Sequence, residues 1–386
     1  MIRRRVIAVI AVVACAVAAR DDAAERTTAD APRESAPADA WPLFRGVAGC
    51  TGVSDSKLPD RPAVLWKRSF KNGSFEATAV IVGDAVYVGN LDGDFYALDL
   101  ASGDERWKLH TELGFQAAAG VRDGVVYVGD ADGVFFALDA ATGEKKWSVS
   151  AEAEINGGTN FYKDNVLFTS NDGKLTCLKG ADGSPVWQYS IDNMLKCAPS
   201  VAGNRCFLGG CDGKLHVVDL DKGEAVAKIE IDDPTLSTPA AGGDRAYFGT
   251  QGGRILAVDW RKAEIVWSYE PKRSGQQVKS SSALAAGLVL YGGHDRMMHA
   301  LDAKSGDEVW STAARANIDS SPVVVGDRVV VGTQRGELIM WELKTGKQVW
   351  QYEAGGRFSA SPAVAQGKMV IGNDAGDLYC FGEKNP

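Results

Sequence analysis

A glycine returns along most of this chain on a 40-residue clock. It falls at Gly89, Gly129, Gly209, Gly249, Gly292, Gly332 and Gly372, with Thr169 filling one gap and a single longer step of 43 after Gly249. A tryptophan keeps the same time at Trp66, Trp107, Trp147, Trp187, Trp267, Trp310 and Trp350, with Ala227 in the missing slot. The stretch from Tyr127 to Trp147 shows what repeats: a strand ending near Gly129, a tight turn at Asp132-Gly133, and a strand over Val134–Leu138. A polar turn, Asp139 to Gly143, then leads to a strand carrying Trp147. Asp-Gly between apolar runs favours a hairpin, because the turn needs positive φ and Gly supplies it without steric cost. Four short strands per repeat of about 40 residues predict the blades of a β-propeller. Eight such repeats are present.

The ends of the chain agree with a closed ring. The last repeat stops at Asp377–Phe381, before any Trp-bearing strand, while the Trp66 strand (Val64–Ser69) precedes the first repeat. The expected fold is therefore an all-β, eight-bladed propeller whose N-terminal strand completes the last blade and leaves no free edge. The seventh repeat is expected to run Ser321–Val325, Arg328–Gly332, Glu337–Leu343 and Gln348–Tyr352. In the third turn of each repeat, Asp99, Asp139, Asp219 and Asp302 can accept from backbone N–H groups two or three residues on. The Trp is expected to pack between neighbouring blades.

Residues 1–19 read as an export signal: a basic start (Met1–Arg5) and an apolar run (Val6–Ala19). That run is shorter than the ~18–20 residues that span a bilayer. Two cleavage readings stand, Ala16-Val17-Ala18 for ordinary signal peptidase and Val12-Val13-Ala14-Cys15 as a lipobox that would lipidate Cys15. Residues 20–40 are expected to be a disordered tether, for they hold no aromatic or large aliphatic side chain. Trp41-Pro42-Leu43-Phe44-Arg45-Gly46 opens the 41–386 propeller domain and is expected to pack on its surface. A net charge of −8 argues against a nucleic-acid partner, which would ask for a basic stripe. Membrane contact is expected only through a lipid anchor, and the chain reads as a monomer.

Ala137-Leu138-Asp139-Ala140-Ala141-Thr142-Gly143-Glu144-Lys145-Lys146-Trp147 resembles the tryptophan-docking motif, A-x-D-x-x-T-G-x-x-x-W, of the pyrroloquinoline-quinone-like (PQQ-like) propellers. Ala97–Trp107 and Ala300–Trp310 match with Ser for Thr, and Ala257–Trp267 has Ala263 for Gly. The third repeat has Lys179 for Asp, the fourth Ala227 for Trp, and the seventh Met340 and Glu342 for Ala and Asp. The resemblance covers roughly Trp41 to Phe381. It implies one of two kinds of exported protein. Quinoprotein dehydrogenases bind PQQ and Ca²⁺ over the central channel, while non-catalytic eight-bladed members include the outer-membrane assembly lipoprotein BamB.

Aligning the repeats where the innermost strand begins gives a ring at one channel mouth: Glu76, Gln116, Asn156, Lys196, Leu236, Lys279, Asp319 and Ser359. The residues just before it are mostly apolar, as alternation predicts. Glu76, Asn156 and Asp319 are oxygen donors of the kind Ca²⁺ takes, typically about 6–8 at once. Asp319, however, is four blades from Asn156, and Lys196 brings positive charge beside it. No two cysteines are adjacent, so the vicinal disulfide of many quinoproteins is missing, as is any C-x-x-C-H haem motif. The reading thus leans away from PQQ, calcium and catalysis.

His294 and His299 flank a strand turn rather than sharing a helix face, and His110 and His216 stand alone. Cys177 and Cys380 take the small buried slot that Ala97 and Ala137 fill elsewhere; Cys197 and Cys211 face across a hairpin and are candidates for a disulfide. Cys50 and Cys206 have no evident partner. The longest inter-blade loop, Glu270–Val278, carries Lys272, Arg273, Gln276 and Gln277 and is the first candidate for contact with an envelope protein. Ile231–Leu236 is a second, acidic candidate. The function expected is a non-catalytic, exported interaction scaffold in the bacterial envelope, in the periplasm or at the outer membrane; the competing class is a small quinoprotein oxidising an alcohol or sugar.

Overall fold

The computed structural model describes residues 35–71, 73–272 and 275–384; Cys15, Arg273 and the expected signal lie outside them. The periodic glycine owes its place to the next blade. A Cβ on Gly89 would fall inside the Phe115 side chain, and one on Gly372 inside that of Phe75. The second pair joins blade 8 to blade 1, so the same contact that spaces the repeats also closes the ring. Thr169 breaks the series and is accommodated by donating its hydroxyl to the Cys197 carbonyl at 2.6 Å.

The result is eight antiparallel sheets around a central channel, each running from an innermost three-residue strand to an outer strand. Blade 1 comprises Val80–Val82, Ala85–Gly89, Asp94–Asp99 and Glu105–His110. Blade 7 comprises Val323–Val325, Arg328–Gly332, Glu337–Glu342 and Gln348–Glu353, so its inner strand is shorter than the sequence reading had it. Blade 8 takes only three strands from the C-terminal end, and Ala63–Ser69 pairs antiparallel with Asp377–Gly382 as its fourth. The expected closure is present. The core lies between blades, as buried aliphatic and aromatic faces of successive sheets.

The docking tryptophans cross those seams. Each indole N–H of Trp66, Trp107, Trp147, Trp187, Trp267 and Trp310 donates to a carbonyl one blade on, at Leu100, Ala140, Gly180, Leu220, Ala303 and Leu343 respectively. The ring also covers the motif glycine of that next blade: a methyl on Gly143 would stand 2.7 Å from Trp107. The turn beneath is held by Asp139, which accepts from the N–H groups of Ala141 and Thr142 at 3.0 and 3.1 Å. Trp350 packs edge-on to Phe381, with centroids 5.7 Å apart.

Two of the departures from the motif, Ala227 and Ala263, belong to one seam. Blade 4 lacks its Trp, so nothing presses on residue 263 of blade 5, and Ala263 can stand at φ 56° where others need Gly. Trp260 of blade 5 packs into the same cluster as Ala227, its ring 5.6 Å from Phe207. The indole is supplied from the opposite side of the seam.

Residues 36–54 correct the sequence reading. Far from lying on the outer surface, this segment plugs the channel at the end opposite the mouth ring and reaches every blade. Ala40–Trp41 pairs with the inner strand of blade 1, and Val53–Ser54 runs parallel to that of blade 7. Backbone N–H groups of Val121, Val201, Ala241 and Leu284 donate to the carbonyls of Pro42, Ala48, Gly49 and Thr51. The Asn160 amide reaches the Ala48 carbonyl, and the Ser54 hydroxyl that of Val364 in blade 8. Trp41 and Arg45 are wholly buried, the guanidinium donating to the Ser321 and Pro322 carbonyls. Ala36, placed in the tether by composition, is buried here as well.

Candidate functional site at the channel mouth

All eight ring residues read from the repeats line one cavity of about 170 Å³: Glu76, Gln116, Asn156, Lys196, Leu236, Lys279, Asp319 and Ser359. The reading succeeds because the 40-residue period fixes where each innermost strand begins, and side chains two residues apart share a face. That alternation supplies a second tier deeper in the cavity: Thr78, Ala118, Gly158, Ala198, Thr238, Ser281, Ser321 and Ser361. Neither this tier nor the floor, which is Phe44 of the plug, shows in the repeat pattern alone. Phe44 sits where the second tier is smallest; a Cβ on Gly158 would meet its Cβ at 3.3 Å.

The charged ring members differ in what holds them. Asp319 is engaged on both oxygens, 2.5 Å from His294 Nε2 and accepting from Gln334 Nε2 at 3.0 Å. Asn156 donates to Glu154 at 3.2 Å. Lys196 and Lys279 form no ion pair among the described residues. Glu76, Asn156 and Asp319 come from blades 1, 3 and 7, and no group of His, Cys, Asp and Glu able to hold a metal gathers among the described residues. With Asp319 already satisfied and two free ammonium groups at the same mouth, these donors do not fit Ca²⁺, which needs several convergent oxygens.

The histidines are not isolated. His216 is buried in blade 4 with Nε2 2.8 Å from Asp212 and Nδ1 2.7 Å from the Tyr189 hydroxyl. The carboxylate can only accept, so Nε2–H donates to it and Nδ1 accepts from Tyr189. Burial pushes the His216 pKa below its ordinary 6.5, with Asp212 pulling the other way. His299 takes the same register in blade 6, its ring stacked 4.6 Å from Tyr291 and its nitrogens facing Asp295 and Glu308. His110 contacts Asp94 at 2.8 Å. The pairs of His216 and His299 spend those imidazoles inside the blades, whereas His110 is exposed.

Cys197 and Cys211 are both free thiols, so the candidate disulfide is not formed in this structure. Cys197 lies buried beneath the mouth ring, whereas Cys211 sits in the turn after Gly209, partly exposed. Cys177 and Cys380 are buried in the core as expected, and Cys50 is buried in the plug. In the 270–278 loop Lys272 and Gln276 are exposed. Gln276 borders a surface cavity of about 500 Å³ with His294, Asp295, Arg296 and Asn317, and the Gln277 carbonyl accepts from the His294 N–H at 3.0 Å. This loop therefore adjoins the mouth through His294 and Asp319.

The PQQ_2 model, described as outer membrane protein assembly factor BamB, matches residues 59–196, 195–320 and 293–384. The chain belongs to the PQQ_2 family. Solved structures sharing the PQQ_2 architecture include BamB from Moraxella catarrhalis, 18% identical over 84% of this chain and 98% of that one, with a TM-score of 0.71. They also include the quinohemoprotein alcohol dehydrogenase of Comamonas testosteroni, 14% identical over 90% of this chain and 81% of that one, TM-score 0.76. A europium-containing methanol dehydrogenase is 14% identical over 89% of this chain and 98% of that one, TM-score 0.77. At such identities these likenesses speak for the fold alone. Among curated proteins, none matches this PQQ_2 chain.

Proposed function

We propose that this PQQ_2-family propeller is a non-catalytic interaction scaffold of the bacterial envelope, similar in role to BamB. The observation that carries the reading is the family match over residues 59–384. The mouth ring supports it, because its carboxylates are dispersed or already satisfied and two unpaired lysines share the cavity. The mechanism is passive. A rigid ring, closed by its own N-terminal strand and plugged from below, presents the mouth-side loops to an envelope protein, with Lys272, Gln276 and Gln277 in the leading loop. Export, periplasmic or outer-membrane residence and lipidation at Cys15 belong to the same proposal.

The decisive experiment titrates the purified protein with PQQ and Ca²⁺, following tryptophan fluorescence and dye-linked oxidation of simple alcohols and sugars. The scaffold reading expects neither Ca²⁺-dependent saturation nor turnover. Turnover would replace it with a quinoprotein dehydrogenase. In parallel, Lys272→Glu is expected to reduce co-purification of an envelope partner, and an unchanged partner profile would move the contact off this loop.

A further inference from the structure

The second tier of the mouth cavity is built in an unusual way. Across six consecutive blades, a backbone N–H of one blade donates to the hydroxyl oxygen of the next: Ala198 to Thr238, Thr238 to Ser281, Ser281 to Ser321, Ser321 to Ser361, and Ser361 to Thr78, at 2.9–3.2 Å. Each hydroxyl thus accepts a bond, while none gives its own proton to a protein acceptor among the described residues. All five side chains are buried and all five line the cavity. A hydroxyl carries one donor as well as its lone pairs, so this belt leaves five spare O–H donors around a single space. Buried donors without acceptors are costly, which makes such a belt informative about what the space receives.

Over the belt the ring carries Leu236, Lys279, Asp319, Ser359 and Glu76, and Lys196 stands beside it over Ala198. Lys196 and Lys279 flank Leu236 and form no ion pair among the described residues, while Asp319 is held by His294 and Gln334. Opposite, where the belt is interrupted by Ala118, Gly158 and Ala198, the floor is the Phe44 ring. The Thr238–Ser281 side of the cavity is therefore rich in donors, with an ammonium group on each flank, and faces an apolar wall. At about 170 Å³ it has the room of about six water molecules.

We propose that this cup binds a small oxyanion, with its negative charge between Lys196 and Lys279, its oxygens on the Thr238 and Ser281 hydroxyls, and any apolar body against Phe44 and Leu236. The shared chemistry is a carboxylate or phosphate group. Both present anionic acceptor oxygens, which match the spare hydroxyl protons and ammonium groups on this side of the cavity. Such binding is separate from partner contact at the loops and survives or fails independently of the scaffold role.

Calorimetric titration of the full chain with sodium benzoate and, separately, with inorganic phosphate, both in calcium-free buffer, tests it. Saturable binding of at least one is expected, weakening with ionic strength. Lys279→Met is expected to weaken it about tenfold, as loss of a hydrogen bond to a charged group does. Lys196→Met should act similarly, and Ser281→Ala by a smaller factor. Benzoate without phosphate would identify an organic acid as the ligand class, and phosphate without benzoate an inorganic oxyanion. Should a lysine variant unfold, Ser281→Ala reads the same site from beneath. The proposal is overturned if neither anion binds at millimolar concentration, or if the affinity is unmoved in folded variants.

Discussion

Trp66, on the strand that closes blade 8, donates its indole N–H to the carbonyl oxygen of Leu100 in blade 1 at 3.0 Å. The strand that completes the last sheet thereby also fastens that sheet to the first. The same bond recurs between Trp107 and Ala140, where it can be tested without disturbing closure. Trp107→Phe keeps an aromatic face over Gly143 but removes the donor, and is expected to cost about 1 kcal/mol. Trp107→Ala also empties the seam and is expected to cost about 3–5 kcal/mol. Urea unfolding of both variants checks the order.

The seam between blades 4 and 5 gives an expectation that runs against the repeat pattern. Restoring the missing residue by Ala227→Trp should destabilise the protein, by about 1–3 kcal/mol as overpacking generally does. The space is already used by Trp260, and Ala263 offers a methyl where a docking indole needs a bare glycine. A raised melting temperature in this variant would show that the seam had room to spare.

The thiols make a labelling prediction. Burial pushes the Cys50, Cys177, Cys197 and Cys380 thiols up to about 12, and Cys206 well above its ordinary value. Thiolate is the reactive form, so these five should resist alkylation in the native protein at pH 8. Cys211, only partly buried, should be labelled first. Mass spectrometry after native and denaturing alkylation distinguishes this from a Cys197–Cys211 disulfide, which would protect both.

His216 links stability to pH. Its folded pKa lies below the unfolded value near 6.5, so the unfolded chain takes up a proton first as the solution is acidified. The contribution of neutral His216 is therefore complete above about 6.5 and is lost as pH falls through the lowered folded value. His216→Phe, matching Phe136 at the same register, removes this dependence. Unfolding free energies at pH 7.5 and 5.5 should differ less in the variant than in the native chain.

The legible part of this structure is the part that repeats. Gly89 and Trp107 reveal the fold because each sits at a contact made once per blade, so packing between blades writes a period into the sequence. The mouth ring from Glu76 to Ser359 followed, since the start of each inner strand is fixed by that period. The plug was not legible. Phe44 and Arg45 serve one site each, and a segment that meets eight different strands has no local pattern to betray where it lies. The hydroxyl belt was hidden for another reason: Ser281 and Ser321 read as ordinary small polar residues until their bonds across blades are seen.

The plug also sets an order of events. The Ser54 hydroxyl bonds a carbonyl 310 residues further along the chain. A ribosome releases this segment before any of its partners exists, and the last of them belongs to the final repeat. Such distant pairings are slow to form, because loop closure must precede any reward from contact. Early blades can assemble as they emerge, but the ring and the segment seated in it can only be completed together, once the C-terminal strands are free. Until then the ring cannot close.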